Sequence, residues 1–71
     1  MTYFELLYNK YQKTTLTKKE VAKELGISEA TLNRKLYSGE IVLPYFNTGN
    51  KMFFTLKGFV QFLEAYEALA A

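Results

Sequence analysis

Between Ser28 and Tyr37 the chain reads SEATLNRKLY, and seven of these ten residues can form side-chain hydrogen bonds: Ser28, Glu29, Thr31, Asn33, Arg34, Lys35 and Tyr37. An arginine fork matches O6 and N7 of guanine, and asparagine matches N6 and N7 of adenine. Threonine meets a phosphate or a thymine methyl, and glutamate accepts from cytosine N4. Arg34 is the candidate for base contact, because it lies two positions after Leu32 and two before Leu36. Its other readings are a phosphate contact or a surface ion pair with Glu29 or Glu40. Glu29 reads equally as a stabiliser of a helix amino terminus. Thr31 reads equally as a packing residue, and Tyr37 as a phosphate contact or the edge of a core. Lys35 and Lys23 contribute to the general field.

Catalytic chemistry is poorly provided for. The chain has no cysteine and no histidine, which removes thiolate zinc sites, disulfides and histidine catalysis. All seven acidic residues are glutamates, and none has a recognisable catalytic partner. No glycine-rich phosphate loop is visible. The chain is expected not to be an enzyme and to use no cofactor or metal.

The net charge is only +2, but its distribution is uneven. All nine basic residues lie between Lys10 and Lys57, opposed there by four glutamates, so that segment carries +5. A basic middle between acidic ends suits a polyanionic partner, or is simply a solvated surface. Lys18 and Lys19 fall where a helix amino terminus would offer free N–H groups to a phosphate. Asn50 and Lys51 follow Gly49 at a turn, within reach of the same kind of partner. Tyr45, Phe46, Phe53 and Phe54 also allow stacking on RNA bases, although most of them are expected in the core.

Such side chains need rigid elements beneath them. T17-K18-K19-E20 has the spacing of a capping box, and Val21, Ala22 and Leu25 recur on one helical face. Gly26 ends that run, and Ser28 caps a second helix with Leu32 and Leu36 on its buried side. The pattern predicts helices over Lys18–Leu25 and Glu29–Tyr37, a helix-turn-helix within 17–38. Leu16 precedes the cap as a hydrophobic staple for Val21. A first helix is predicted over Tyr3–Lys13, with Phe4, Leu7, Tyr8 and Tyr11 on its apolar face. Thr14, Thr15 and Leu16 read as a short break. The run IVLPYFNTGNKMFFT predicts a hairpin across Tyr45–Phe54, with Phe46, Met52 and Phe54 covering Leu32 and Leu36. Thr55 caps a last helix running from Leu56 towards Ala70, where Gly58 permits close approach to the hairpin. Phe59, Val60 and Leu63 face the core. Phe62, Tyr66 and Leu69 remain beside Tyr3 or Leu7, an apolar excess suited to a symmetric partner. The 71 residues form one domain, mainly α with a small β-hairpin, the wing at 43–54 and the last helix at 56–70.

These segments together carry a resemblance. L16-T17-K18-K19-E20-V21-A22, L25-G26-I27-S28, T31-L32-N33-R34-K35-L36, S38-G39-E40, L43-P44, T48-G49-N50-K51 and F54-T55-L56-K57 resemble the MerR-like winged helix-turn-helix group. Within that group they resemble the phage excisionase-like and pyocin-activator-like small regulators. The tip carries Asn50-Lys51 where the group commonly has adjacent arginines, and the long join from Gly39 to Pro44 is nearer to the pyocin-activator-like branch. The resemblance implies a helix 29–37 that enters the major groove and a hairpin wing on the neighbouring backbone or minor groove. It implies a sequence-specific DNA-binding regulator of a phage or other mobile element. The alternatives are an architectural excision factor and a protein-interaction module on the same fold. Expected partners are double-stranded DNA, a homodimer mate or cooperative copies on DNA, and recombinase or transcription machinery. The chain is expected to be too short for an effector domain. No stretch has membrane-spanning length or the apolar core of a leader, so a cytoplasmic location is expected.

Overall fold

The structure, a computed structural model, describes the backbone of residues 2–70 and the side chains of residues 2–67. It is a small, mainly α domain of four helices and a three-stranded antiparallel sheet. The order is α1 (Tyr3–Tyr11), β1 (Thr15–Thr17), α2 (Lys18–Leu25), α3 (Glu29–Ser38), β2 (Tyr45–Thr48), β3 (Lys51–Thr55) and α4 (Leu56–Ala70). No described helix is long and apolar enough to cross a membrane.

Local signals set the helix ends. Thr17 accepts from the Glu20 N–H at 3.2 Å, and Glu20 Oε1 accepts from the Thr17 N–H at 2.9 Å. Thr2 and Glu5 form the same reciprocal box at the start of α1, from the same T-x-x-E spacing. The α2 helix closes in a Schellman motif: the N–H groups of Gly26 and Ile27 donate to Lys23 and Ala22 carbonyls. Gly26 takes φ 73°, a left-handed conformation costly for a residue with a Cβ. Ser28 Oγ accepts from the Thr31 N–H at 3.1 Å to cap α3. At the start of α4 the Gly58 N–H donates to Thr55 Oγ1 at 3.0 Å. A Cβ on Gly58 would stand 2.7 Å from that oxygen and 3.4 Å from Pro44, so only glycine permits both the cap and the contact.

The sheet differs from expectation. Thr14–Leu16 is not a simple break. Residues Thr15–Thr17 form a strand that pairs with β3 in the register Thr15↔Thr55, Leu16↔Phe54 and Thr17↔Phe53. β3 is therefore central, in the order β1-β3-β2, and the Leu56 N–H donates to the Thr14 carbonyl at 2.8 Å beside this pairing. The hairpin register runs Tyr45↔Phe54 to Thr48↔Lys51, leaving Gly49-Asn50 as a two-residue turn with Gly49 at φ 63°. The strands occupy 45–48 and 51–55, within and just beyond the expected 43–54. The α1 helix ends at Tyr11, two residues early, because Gln12 turns left-handed at φ 58°.

Leu7, Leu16, Val21, Ala22, Leu32, Leu43, Phe54, Leu56, Phe59 and Val60 form one buried apolar cluster. Among the described residues no polar side chain is buried. Leu16 and Val21, the staple pair, both lie in this cluster. Leu36 is only half-buried against it, as are Met52, Phe62 and Leu63. Of the hairpin aromatics only Phe54 is fully buried. Phe53 is half-buried. Tyr45 shares the Phe54 face but is exposed on the edge strand, and Phe46, paired with Phe53, stands on the opposite face and cannot cover Leu32 or Leu36. On α1, Leu7 is buried and Tyr11 half-buried. Phe4 and Tyr8 stack on each other at the surface, rings 6.3 Å apart. Tyr66 is exposed, and the Leu69 side chain lies outside the described residues.

An acid-sensitive clamp joins α1 to α2. Glu24 Oε2 accepts from Lys10 Nζ and from the Tyr11 hydroxyl, each at 2.6 Å. Partial burial pushes the Glu24 carboxyl up, but the hydrogen bonds from Lys10 and Tyr11 outweigh it and hold it below the ordinary range. Glu20 behaves alike: burial raises it, and the bonds from Thr17 and Lys13 lower it further. Burial and the bond to Glu24 push the Tyr11 hydroxyl far up, so it stays protonated. A carboxyl depressed by folding contributes stability above its unfolded value, near 4.5, and loses it as pH falls through its folded value. Glu24→Gln is therefore expected to lower the melting temperature near pH 7, and to do so less and less as pH falls below the ordinary carboxylate range. Thermal melts of both proteins across this range check it, and a gap independent of pH would contradict the clamp.

Candidate functional site

Two of the three ion pairs among the described residues hold α2 against α1 and the segment that follows it. Lys10 pairs with Glu24 at 2.6 Å, and Lys13 pairs with Glu20 at 2.9 Å. The third joins Lys35 to Glu40, and Lys35 holds the Glu40 carboxyl below its ordinary range. Lys18, Lys19, Lys23, Arg34, Lys51 and Lys57 make no ion pair among the described residues. Three of these six converge.

An open groove runs between the amino end of α2, the start of α3 and the tip of the hairpin. Lys18, Lys19, Glu29, Asn50 and Lys51 line it, together with Thr17, Asn47, Gly49, Met52 and Phe53. The fold produces this meeting. Thr17 ends β1 and caps α2, so the sheet register that fixes β1 beside β3 also fixes the first turn of α2 beside the hairpin. Three ammonium groups face one carboxylate there. The N–H groups of Lys18 and Lys19 are in the first turn of α2, where a helix leaves donors without intrahelical partners. Ammonium groups and free helix N–H donors are the chemistry that anion sites use.

The exposed side of α3 continues from this groove. At 100° per residue, Leu32 and Leu36 point inward, and Ala30, Arg34 and Tyr37 lie opposite. All three are exposed. Asn33 and Tyr37 border a second groove, between α3 and β2, which shares Met52 with the first. Arg34 is exposed and makes no ion pair among the described residues, since Glu40 is held by Lys35.

The other candidates are placed differently. Ser28 spends its oxygen on the α3 cap and donates its hydroxyl to Thr31 Oγ1 at 2.9 Å. Thr31 is half-buried at that contact. Lys35 lies on the far side of α3, lining a cleft with Phe62, Leu63 and Tyr66 of α4. The structure thus gathers Lys18, Lys19, Glu29, Asn50 and Lys51 around one groove and Asn33 and Tyr37 around the next, with Arg34 on the ridge beside them. It adds Thr17 and Asn47 to the first groove and Val42 and Tyr45 to the second. Asn47 and Val42 stand in the sequence only as members of the hairpin run IVLPYFNTGNKMFFT, with no signal of their own. No group of three or more acidic side chains that could hold a metal occurs among the described residues.

Compared with models of protein families, with curated proteins and with solved structures, the chain matches none.

Proposed function

We propose that this chain is a winged helix-turn-helix domain that binds double-stranded DNA sequence-specifically, as a small transcriptional regulator of a phage or other mobile element. The observation that carries the reading is the groove where Lys18, Lys19 and Lys51, none held in an ion pair among the described residues, come together beside the exposed side of a capped helix. In this reading the lysines and the first turn of α2 hold phosphates and set the register. Helix α3 enters the major groove, with Arg34 and Asn33 towards base edges, and the β2–β3 hairpin acts as the wing. The mobile-element role rests on the resemblance of the sequence motifs alone. A single domain of this size buries little DNA surface, so useful specificity calls for paired or side-by-side copies.

Selection of bound duplexes from a random pool, at stated salt, tests the proposal. An enriched motif supports it, and retention without enrichment reduces the chain to a nonspecific binder. Failure to retain duplex at low salt overturns it. Arg34→Ala is expected to weaken the enriched site by about 1–3 kcal/mol and to narrow the gap to unrelated DNA. Equal losses on both, read by fluorescence anisotropy, would make Arg34 a phosphate contact.

A further inference from the structure

Beside the exposed side of α3 lies a groove of a different character from the basic one. Asn33, Leu36 and Tyr37 form its α3 wall, and Val42, Tyr45 and Met52 come from the following loop and the hairpin. Three of these apolar side chains are turned to water: Tyr37 is 97 % exposed, Val42 78 % and Tyr45 54 %. Neither tyrosine hydroxyl finds a hydrogen-bond partner among the described residues; the tyrosine hydroxyls that do are those of Tyr3 and Tyr11. A domain with so small a core gains stability by burying rings and branched aliphatics, so leaving three beside one groove calls for another partner.

The two grooves lie on either side of a shared residue, Met52, and Tyr37 lies one turn beyond Asn33 and beside Arg34 on α3. A duplex seated on the lysines with α3 in its major groove would carry its next base pairs over this rim. The apolar group that the major groove presents there is the C5-methyl of thymine. Resting on the DNA reading above, we propose that the Tyr37–Val42 rim is a second reading surface, which packs on thymine methyl groups beside the base pair contacted by Arg34. The recognised sequence then has two parts: a polar contact from the middle of α3, and a thymine preference set by its carboxyl end and the loop after it. Tyr37 acts here through its ring and not its hydroxyl.

The test uses the full chain and the duplex enriched from the random pool, prepared once with thymine and once with deoxyuridine, which lacks only the methyl. The wild type is expected to bind the deoxyuridine duplex about fourfold more weakly for each methyl it had buried. Tyr37→Phe should keep that discrimination, and Tyr37→Ala and Val42→Ser should bind both duplexes alike. Both positions are exposed, and circular dichroism melts close to wild type would show the variants folded. Equal wild-type affinity for the two duplexes overturns the inference while leaving the DNA reading intact. Equal loss of affinity for both duplexes in Tyr37→Phe and Tyr37→Ala, with the thymine preference kept, assigns Tyr37 to a phosphate through its hydroxyl and overturns it too. Variants that bind DNA as wild type does would assign the rim to a protein partner, against the proposal. If no duplex is enriched, the inference falls together with the reading beneath it.

Discussion

Phe54→Ala is expected to cost about 3–5 kcal/mol, and Leu32→Ala about 2–5 kcal/mol. Both side chains are fully buried, and each pins a different layer. Phe54 stands on the central strand, opposite Leu16 on one side and Tyr45 on the other, so its ring is the point where both ladders meet the helices. Leu32 is the one fully buried residue of α3 and fixes which side that helix turns outward. The loss is large against the total stability of so short a chain, since native domains hold only about 5–15 kcal/mol. At about 4–8 °C per kcal/mol for this size, either variant should melt tens of degrees lower or lose its cooperative transition. Phe46→Ala is the control. Phe46 is 43 % exposed and its ring contact is with Phe53, 5.6 Å away on the same sheet surface. Its loss should stay near 1 kcal/mol, the scale of one aromatic pair. Urea titrations of the three variants give the comparison. Similar losses for Phe46→Ala and Phe54→Ala would mean the sheet presents its other side to the helices.

The contrast between those two phenylalanines also shows where the sequence stops being legible. Every signal with a reach of three or four residues is readable: the Thr17–Glu20 box, the Ser28 cap and Gly26 as a helix end. The Thr2–Glu5 box has the same form and was equally available. The β1 strand was not, because its evidence is three residues long and its partner Thr55 lies forty positions further on. A Thr-Leu-Thr triplet has the alternation of a strand, but three residues are too few to separate a strand from a linker. Two separate facts displace the aromatics. The two-residue turn Gly49-Asn50 pairs Phe46 with Phe53, so Phe46 stands on the face opposite Phe54. With β1 present β3 is central, and β2, with Tyr45, is left at the exposed edge. The candidate site divides in the same way. Residue types and helix phase were enough to single out Arg34, Asn33, Lys18 and Lys19. The capture of Lys35 by Glu40 depends on how the chain folds back after Gly39. The meeting of Lys18 with Lys51 depends on the register of β1 against β3.

That meeting yields the second large effect. In the DNA reading, a variant carrying Lys18→Gln, Lys19→Gln and Lys51→Gln together loses three phosphate neutralisations. Each contributes roughly 0.9 to the slope of log affinity against log salt, so the slope should flatten by about 2–3. Near 0.1 M salt the same arithmetic gives a loss on the order of 10²–10³-fold, on specific and unrelated duplexes alike. Lys10→Gln, Lys13→Gln and Lys35→Gln make the matched control. They remove the same formal charge, but from side chains already neutralised by Glu24, Glu20 and Glu40 and away from the groove. Those pairs are partly or fully exposed, so their loss should cost little stability. Their effect on DNA affinity should be a small fraction of the first, because screened charge outside the contact adds only a weak long-range attraction. Anisotropy titrations of both triple variants from about 0.05 to 0.2 M salt separate the possibilities. If the two sets lost affinity equally, net charge and not the groove would govern binding, and the duplex would have to be seated elsewhere on the molecule.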